Sequence, residues 1–360
     1  MSENQTLPDS NVDLLDLLDD MSSPPESPTP GPPVDEGRRK RRRILLAILV
    51  ALLVVFVGLF AWYLLNRKPL SELPGLSEAR LPTYKTSFYD VAKPLGVAVS
   101  LDGSRIYATQ SGATPGTVVF DRDGNTIGTL EPPATPKSFH VPVYVAVSPA
   151  TGDVYVGDRA AGKVYVYDES GTYLSTFQPK GDVKAMSPLG LAVGPDGTVY
   201  VADVLSATPA EHRILVFAGD GTLKKVLGKG ELNYPNAIVV GNRGELYVSD
   251  SNNGRVVVID DAGKVSTLVA RGVGDGDLGL PRGLAIDDEG RMFVVDTTDH
   301  MVRLFTTGSS PTDHPGYVGS FGDEGHDDGK FTFPNGLATD TRGRVYVADR
   351  ENNRIEVWGY

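Results

Sequence analysis

Residues 333–358 read Phe333-Pro-Asn-Gly-Leu-Ala-Thr-Asp340, a turn centred on Gly343, Arg344-Val-Tyr-Val-Ala-Asp349, a polar loop, and Arg354-Ile-Glu-Val-Trp358. Short runs of alternating apolar residues split by glycine- and asparagine-bearing segments predict three strands joined by turns. The unit recurs six times. Each copy opens on a proline, Pro94, Pro142, Pro188, Pro235, Pro281 or Pro334, at spacings of 48, 46, 47, 46 and 53 residues. An aromatic follows 12 or 13 residues later: Tyr107, Tyr155, Tyr200, Tyr247, Phe293 and Tyr346. Three residues beyond it stands Asp158, Asp203, Asp250, Asp296 or Asp349, with Gln110 in the first copy. A period this regular marks an array of identical supersecondary units.

The third copy shows a fourth strand. Leu189–Val193, Thr198–Ala202, Arg213–Phe217 and Leu223–Leu227 are separated by Pro195-Asp-Gly197 and Gly219-Asp-Gly221. Such Asp-Gly signals make hairpins, so each unit is a four-stranded antiparallel sheet. The second residue after each proline is small (Gly96, Gly190, Ala237, Gly283, Gly336), Tyr144 excepted, as innermost strands converging on an axis require. The sixth copy has only three strands, and Thr83–Phe88 can supply the missing one, closing the ring. The expected fold is all-β, a six-bladed β-propeller over residues 81–360. A disordered acidic, Pro-rich tail (1–43), one transmembrane helix (44–65) and a stalk (66–80) precede it.

The order Phe-x-x-Pro-x-Gly-Leu-Ala, Gly-x-Val-Tyr-Val-Ala-Asp, Asn-x-Arg-Ile-x-Val resembles the NHL repeat, whose members build six-bladed propellers. Copies four and six match best, with Asp250…Arg255 and Asp349…Arg354 at one offset; Lys163 and Met301 stand at that offset in copies two and five. The resemblance implies the fold, and it also raises an enzymatic alternative, because some relatives of the fold are lyases or lactonases with a metal in the central channel.

The formal charge is -12. Nine acids in residues 1–37 and eight cations at 38–43 and 67–68 leave -11 for the remainder, which disfavours nucleic acid as a partner. Ile44–Leu65 carries no charge and is long enough to cross a bilayer. Arg38–Arg43 before it predicts an uncleaved signal anchor with a cytoplasmic N-terminus and an extracytoplasmic propeller. Cysteine is absent and the only glycosylation sequon is Asn4-Gln5-Thr6, in the tail, which together point to a bacterial surface protein. Leu14, Leu15, Leu17 and Leu18 among aspartates suit a docking helix for a cytoplasmic partner, and Ser22–Pro33 reads as disordered.

In such blades the tight glycine-centred turns lie on one face. Longer loops and the segments leading into each blade, among them 132–140, 272–280 and 322–333, lie on the other. Adaptable loops on a rigid scaffold bind ligands, so this loop face is the expected binding face. The residues after the prolines should ring the channel there: Leu95, Val143 and Leu189 on one side, Asn236, Arg282 and Asn335 on the other. The candidate ligand-binding residues are therefore Asn236, Arg282 and Asn335, with His140 and His300 from the loops. The recurrent aspartates read as structural caps. No nucleophile–base pair and no metal-ligand spacing of histidines is present, so no cofactor is assigned. Zinc at the histidines and calcium at Asp323–Asp328 are the alternatives. The expected function is a membrane-anchored module that captures a protein, peptide or glycan. The alternative is a channel-metal lyase or hydrolase using Asn236, Asn335, His140 or His300.

Overall fold

The computed structural model describes residues 36–66, 80–133 and 140–360. The leucine–aspartate stretch, Ser22–Pro33, nearly all of the stalk and the centre of the 132–140 segment lie outside the described residues. The chain divides into two units, considered separately.

The described part of the first, which runs to Ala61, is helical and belongs to helix α1, Glu36–Asn66. Within it Arg43–Phe60 is long and apolar enough to cross a membrane, with its side chains unburied. The helix starts eight residues before the span read from hydropathy, because the arginine–lysine run is helical as well. Straight-chain cations lose little rotamer freedom in a helix, so the basic cluster does not end it.

In the second unit the described residues form six four-stranded antiparallel sheets. The innermost strands are β2 (Pro94–Val99), β6 (Pro142–Val147), β10 (Pro188–Val193), β14 (Pro235–Val240), β18 (Pro281–Ile286) and β22 (Pro334–Thr339). Every one starts on its copy's proline. An innermost strand has no neighbour on its axial side, so a residue without an N–H can open it. Opposite each proline in register sits the recurrent acid, or Gln110.

The small third residue has the predicted cause. A Cβ on Gly96 would lie 2.8 Å from the Val143 carbonyl oxygen, one on Gly283 2.5 Å from that of Asn335, and one on Gly336 2.5 Å from that of Leu95. Each obstacle is backbone of the next innermost strand, so the blades meet where side chains are missing. The recurrent aromatics fill the layers between blades: Tyr107, Phe293 and Tyr346 are fully buried. The Tyr107 hydroxyl donates to the Glu169 carbonyl of the following blade at 3.1 Å.

The last blade is composite. β22 is followed by β23 (Arg344–Asp349) and β24 (Arg354–Gly359), and β1 (Thr83–Phe88) pairs antiparallel with β24 to complete the sheet. Phe88 is buried against Phe120 of the first blade and Tyr346 of the last, at 5.6 and 6.2 Å between ring centres. The ring therefore closes by pairing its two chain-distant ends, and its edges are covered.

Candidate ligand-binding site

The recurrent acids come first, because they shape the loop face. Asp158, Asp203, Asp250, Asp296 and Asp349 are buried. Each accepts the backbone N–H of a residue just before its blade's proline: Val141 at 3.1 Å, Ser187 at 2.8 Å, Asn233 at 2.7 Å, Leu280 at 3.0 Å and Thr332 at 2.7 Å. Gln110 does the same through Oε1 for Ala92, at 2.9 Å. The other oxygen takes a cation. Arg255 meets Asp250 at 2.7 Å, Arg354 meets Asp349 at 2.8 Å and Arg213 meets Asp203 at 3.0 Å. In the second blade, where Lys163 stands at the arginine offset, His140 Nδ1 lies 2.5 Å from Asp158 Oδ2. In the fifth, Arg303 approaches Asp296 from two residues further on. Arg354 also donates to the carbonyls of His326, Asp327 and Lys330. Backbone carbonyls of the 326–330 stretch thus hold this arginine, and the Asp328 carboxylate lies 3.7 Å from it.

A second repeated bond fastens one blade to the next. Lys93, Tyr234 and Phe333, each immediately before a blade's proline, have φ of 50°, 60° and 50°. This left-handed region is costly for bulky side chains. The N–H of each is taken by a side chain of the preceding blade. Tyr234 N donates to His212 Nδ1 at 3.0 Å, Phe333 N to His300 Nδ1 at 3.1 Å, and Lys93 N to Asn353 Oδ1 at 2.9 Å. The loop histidines His212 and His300 are thus built into the framework. His212 and His300 are buried, and the His300 ring packs on Phe333 at 4.6 Å. Both Nδ1 atoms act as acceptors, which requires the neutral Nε2–H tautomer.

Asn236, Arg282 and Asn335 occupy the second positions of β14, β18 and β22, three adjacent innermost strands, and form one arc of the channel mouth. His140 and His300 are held away in the acid and clasp bonds described above. Asn236 and Asn335 are only 2% and 4% exposed. No described residue makes a hydrogen bond or ion pair to the Asn236, Arg282 or Asn335 side chains. Asn236 Oδ1 is buried without a partner.

Four further residues of the mouth, Tyr144, Arg159, Tyr234 and Arg350, escaped the sequence reading. Tyr144, the exception to the small-residue rule, is buried, and its hydroxyl reaches across the axis to 3.5 Å from the Arg282 carbonyl. Burial drives its phenol far above the usual range. It can span the axis because no other blade places a large side chain at that level. Arg159 Nη1 donates to the Tyr234 hydroxyl at 2.6 Å, bridging from the second blade to the fourth, with its guanidinium 5.4 Å from the Tyr234 ring centre. Arg350 donates to Glu351 at 2.6 Å. Burial, together with the like charge of Arg350, lowers the Arg282 guanidinium from its ordinary value, partly offset by Tyr144 and Tyr234. Arg159 and Arg350 each follow a recurrent acid, at a position where Ser251 and Thr297 bind the next blade's proline carbonyl. That departure was the available signal.

Beyond Tyr144 the channel widens toward the turn face into a cavity of about 760 Å³ lined by the fourth residues of the inner strands, Val97, Val145, Leu191, Ile238, Leu284 and Leu337. On the turn side these apolar strand residues share the lining with Asp196, Asn242, Arg243 and Asp261 of the turns. Among the described residues no three His, Cys, Asp or Glu side chains gather as metal ligands.

The comparisons agree with this architecture. The NHL repeat model matches residues 232–259 and 331–358, the fourth and sixth copies. The human NHL repeat-containing protein 3 is 27% identical over 223 residues, covering 59% of this chain and 50% of that protein. The chain therefore spans about half the length of the curated relatives it matches. A segment of 43 residues, 12% of the chain and 4% of the relative, is 49% identical to protein lin-41 of Caenorhabditis elegans. Among solved structures, a streptogramin B lyase superposes with a TM-score of 0.55 at 19% identity, covering 79% of this chain and 99% of the lyase. At that identity the likeness is one of fold. The chain folds as a six-bladed β-propeller, and its fourth and sixth blades match the NHL repeat.

Proposed function

We propose that this chain is a membrane-anchored binding module: α1 holds it in a bilayer with its N-terminal side cytoplasmic, and the loop face of the propeller captures a protein, peptide or glycan. A protein partner is in keeping with the NHL fold. The observation that carries the reading is the arc of Asn236, Arg282 and Asn335. Polar groups buried in a fold ordinarily find partners within it, and leaving one without a partner costs stability. Three adjacent blades instead present such groups, unbonded, at one end of the channel. Beside them Phe333 is 45% exposed in a strained conformation, which suits a contact made on binding.

The test uses the full chain in detergent as bait against envelope extract, beside an Asn236→Ala/Asn335→Ala variant and a turn-face control, Lys264→Ala. Capture of a partner that the mouth variant loses and the control keeps is the expected result. Equal capture by all three overturns the loop-face assignment. His140 and His300 already spend their Nδ1 atoms on Asp158 and Phe333, which supports binding over a metal-dependent lyase or hydrolase. A stoichiometric divalent ion on the purified chain, lost in Asn236→Ala, would reverse that preference.

A further inference from the structure

The arginines near the recurrent acids, Arg213, Arg255, Arg303 and Arg354, each lie beside a buried aspartate. Arg282 does not. Its guanidinium sits in the channel mouth of a strongly acidic domain with no carboxylate of the described residues against it, while Arg350 adds a like charge. Around it the three guanidiniums of Arg159, Arg282 and Arg350 are matched by one acid, Glu351, which Lys93 also engages at 3.4 Å. An unpaired, largely desolvated cation lowers the stability of the fold that holds it, and the same low-dielectric setting strengthens any anion that pairs with it. A planar guanidinium is suited to a two-pronged grip on a carboxylate.

The neighbouring group narrows the ligand. Asn236, at the equivalent position of the adjacent innermost strand, presents a buried acceptor, Oδ1, that nothing in the described protein satisfies. An N–H donor beside a carboxylate answers both residues. A peptide carries that pair within one residue, whereas a phosphate or a fatty acid has no N–H to offer. We propose that the loop-face mouth binds an acidic peptide segment, with a carboxylate on Arg282 between Arg159 and Arg350 and a backbone N–H on Asn236 Oδ1. This deepens the binding-module reading and rests on it for the choice of face.

The experiment measures fluorescence anisotropy of labelled hexaglutamate and hexaglutamine peptides with the full chain in detergent, at about 50 and 200 mM salt. Hexaglutamate should bind, more weakly at the higher salt, and hexaglutamine should not. Arg282→Met should weaken hexaglutamate at least about tenfold, Arg282→Lys less, and Lys264→Met not at all. Asn236→Leu should cost several-fold, and inorganic phosphate should compete poorly. Because Arg282 has no partner to lose, Arg282→Met should melt no lower than the parent, so lost binding is not lost folding. Unchanged hexaglutamate binding in Arg282→Met, equal binding of hexaglutamine, or failure of hexaglutamate to bind overturns the proposal. If partner capture still depends on Asn236 and Asn335 in that event, the binding-module reading stands without it. If hexaglutamate depends on Arg282 while capture ignores the mouth, the acidic-peptide site stands and the broader reading falls.

Discussion

Replacing His300 with glycine and, separately, with asparagine separates the two roles available to this residue. His300 has φ of 55° and accepts the Phe333 N–H across the boundary between the fifth and sixth blades. Asn353 stands at the corresponding position of the sixth blade, one residue before its strand, with φ of 54° and the same kind of bond to Lys93. Gly254 occupies that position in the fourth blade, with φ of 66°. Both substitutions therefore fit the left-handed backbone, and both remove the ring from Phe333. They differ in one respect: asparagine keeps an acceptor and glycine does not. Leaving the partly buried N–H without a partner should cost about 1–2 kcal/mol. For a domain of this size that is a difference of roughly 2–8 °C in melting temperature between His300→Gly and His300→Asn. Differential scanning fluorimetry of the two variants beside the parent reads it directly. Equal melting of the two would refute the clasp. A His300→Asn protein that melts near the parent but loses ligand would show instead that the imidazole itself is a binding group.

Closure is tested by Phe88→Ala, which removes a ring buried between the first and last blades and should cost ~3–5 kcal/mol, with exposed Tyr89→Ala near neutral; unchanged melting of a chain lacking residues 81–90 would refute ring closure through β1. Gly283→Ala sets a methyl against the Asn335 carbonyl and should lose ~1–3 kcal/mol, whereas Gly128→Ala, with nothing within 4 Å, should lose little. A pH effect follows from Glu356, fully buried beside Arg354 at 2.7 Å, with Asp349 sharing the same guanidinium. Burial, with Asp349 adding repulsion, pushes its carboxyl up to about 8. The folded state then holds a proton that the unfolded chain has released. This stability is complete below the usual carboxyl range and is lost as pH rises through about 8. Denaturant unfolding of the parent should weaken between roughly pH 5.5 and pH 9, and Glu356→Gln should flatten that dependence; a parent curve as flat as the variant's would refute the assignment.

What was legible in the sequence was whatever the fold demands in every blade. Proline at the inner edge, glycine where backbones touch and an acid for the leading N–H each answer a constraint that recurs around the ring. Gln110 shows how far this reaches: it breaks the pattern in letters and keeps it in bonding, because its Oε1 accepts the same kind of N–H. The clasp was not legible, because its cause is a backbone conformation. Nothing in the letters of Tyr234, Phe333 and Lys93 announces a positive φ before proline, and without it the histidines that accept their N–H groups look like spare ligands.

The mouth was half legible for a related reason. Asn236, Arg282 and Asn335 could be placed because they occupy a repeated position, so their neighbourhood follows from the ring. Tyr144, Arg159 and Arg350 take their meaning from departing from the repeat. Tyr144 and Arg282 are 138 residues apart, and Arg159 and Tyr234 are 75 apart. Repetition makes six blades equivalent and so cannot by itself create a place for an asymmetric ligand. That place has to be made by substitutions that break the equivalence at one end of the axis. Where a small residue becomes Tyr144 the side chain crosses the axis, and where the residue after the acid becomes Arg159 or Arg350 it bonds Tyr234 or Glu351 instead of the next blade's proline carbonyl. A double substitution, Tyr144→Gly with Arg159→Ser, restores at both positions residues that other copies carry. It should leave the propeller folded, open the channel from mouth to turn-face cavity, and weaken hexaglutamate binding. Retention of full binding by that protein would place the recognition elsewhere on the loop face.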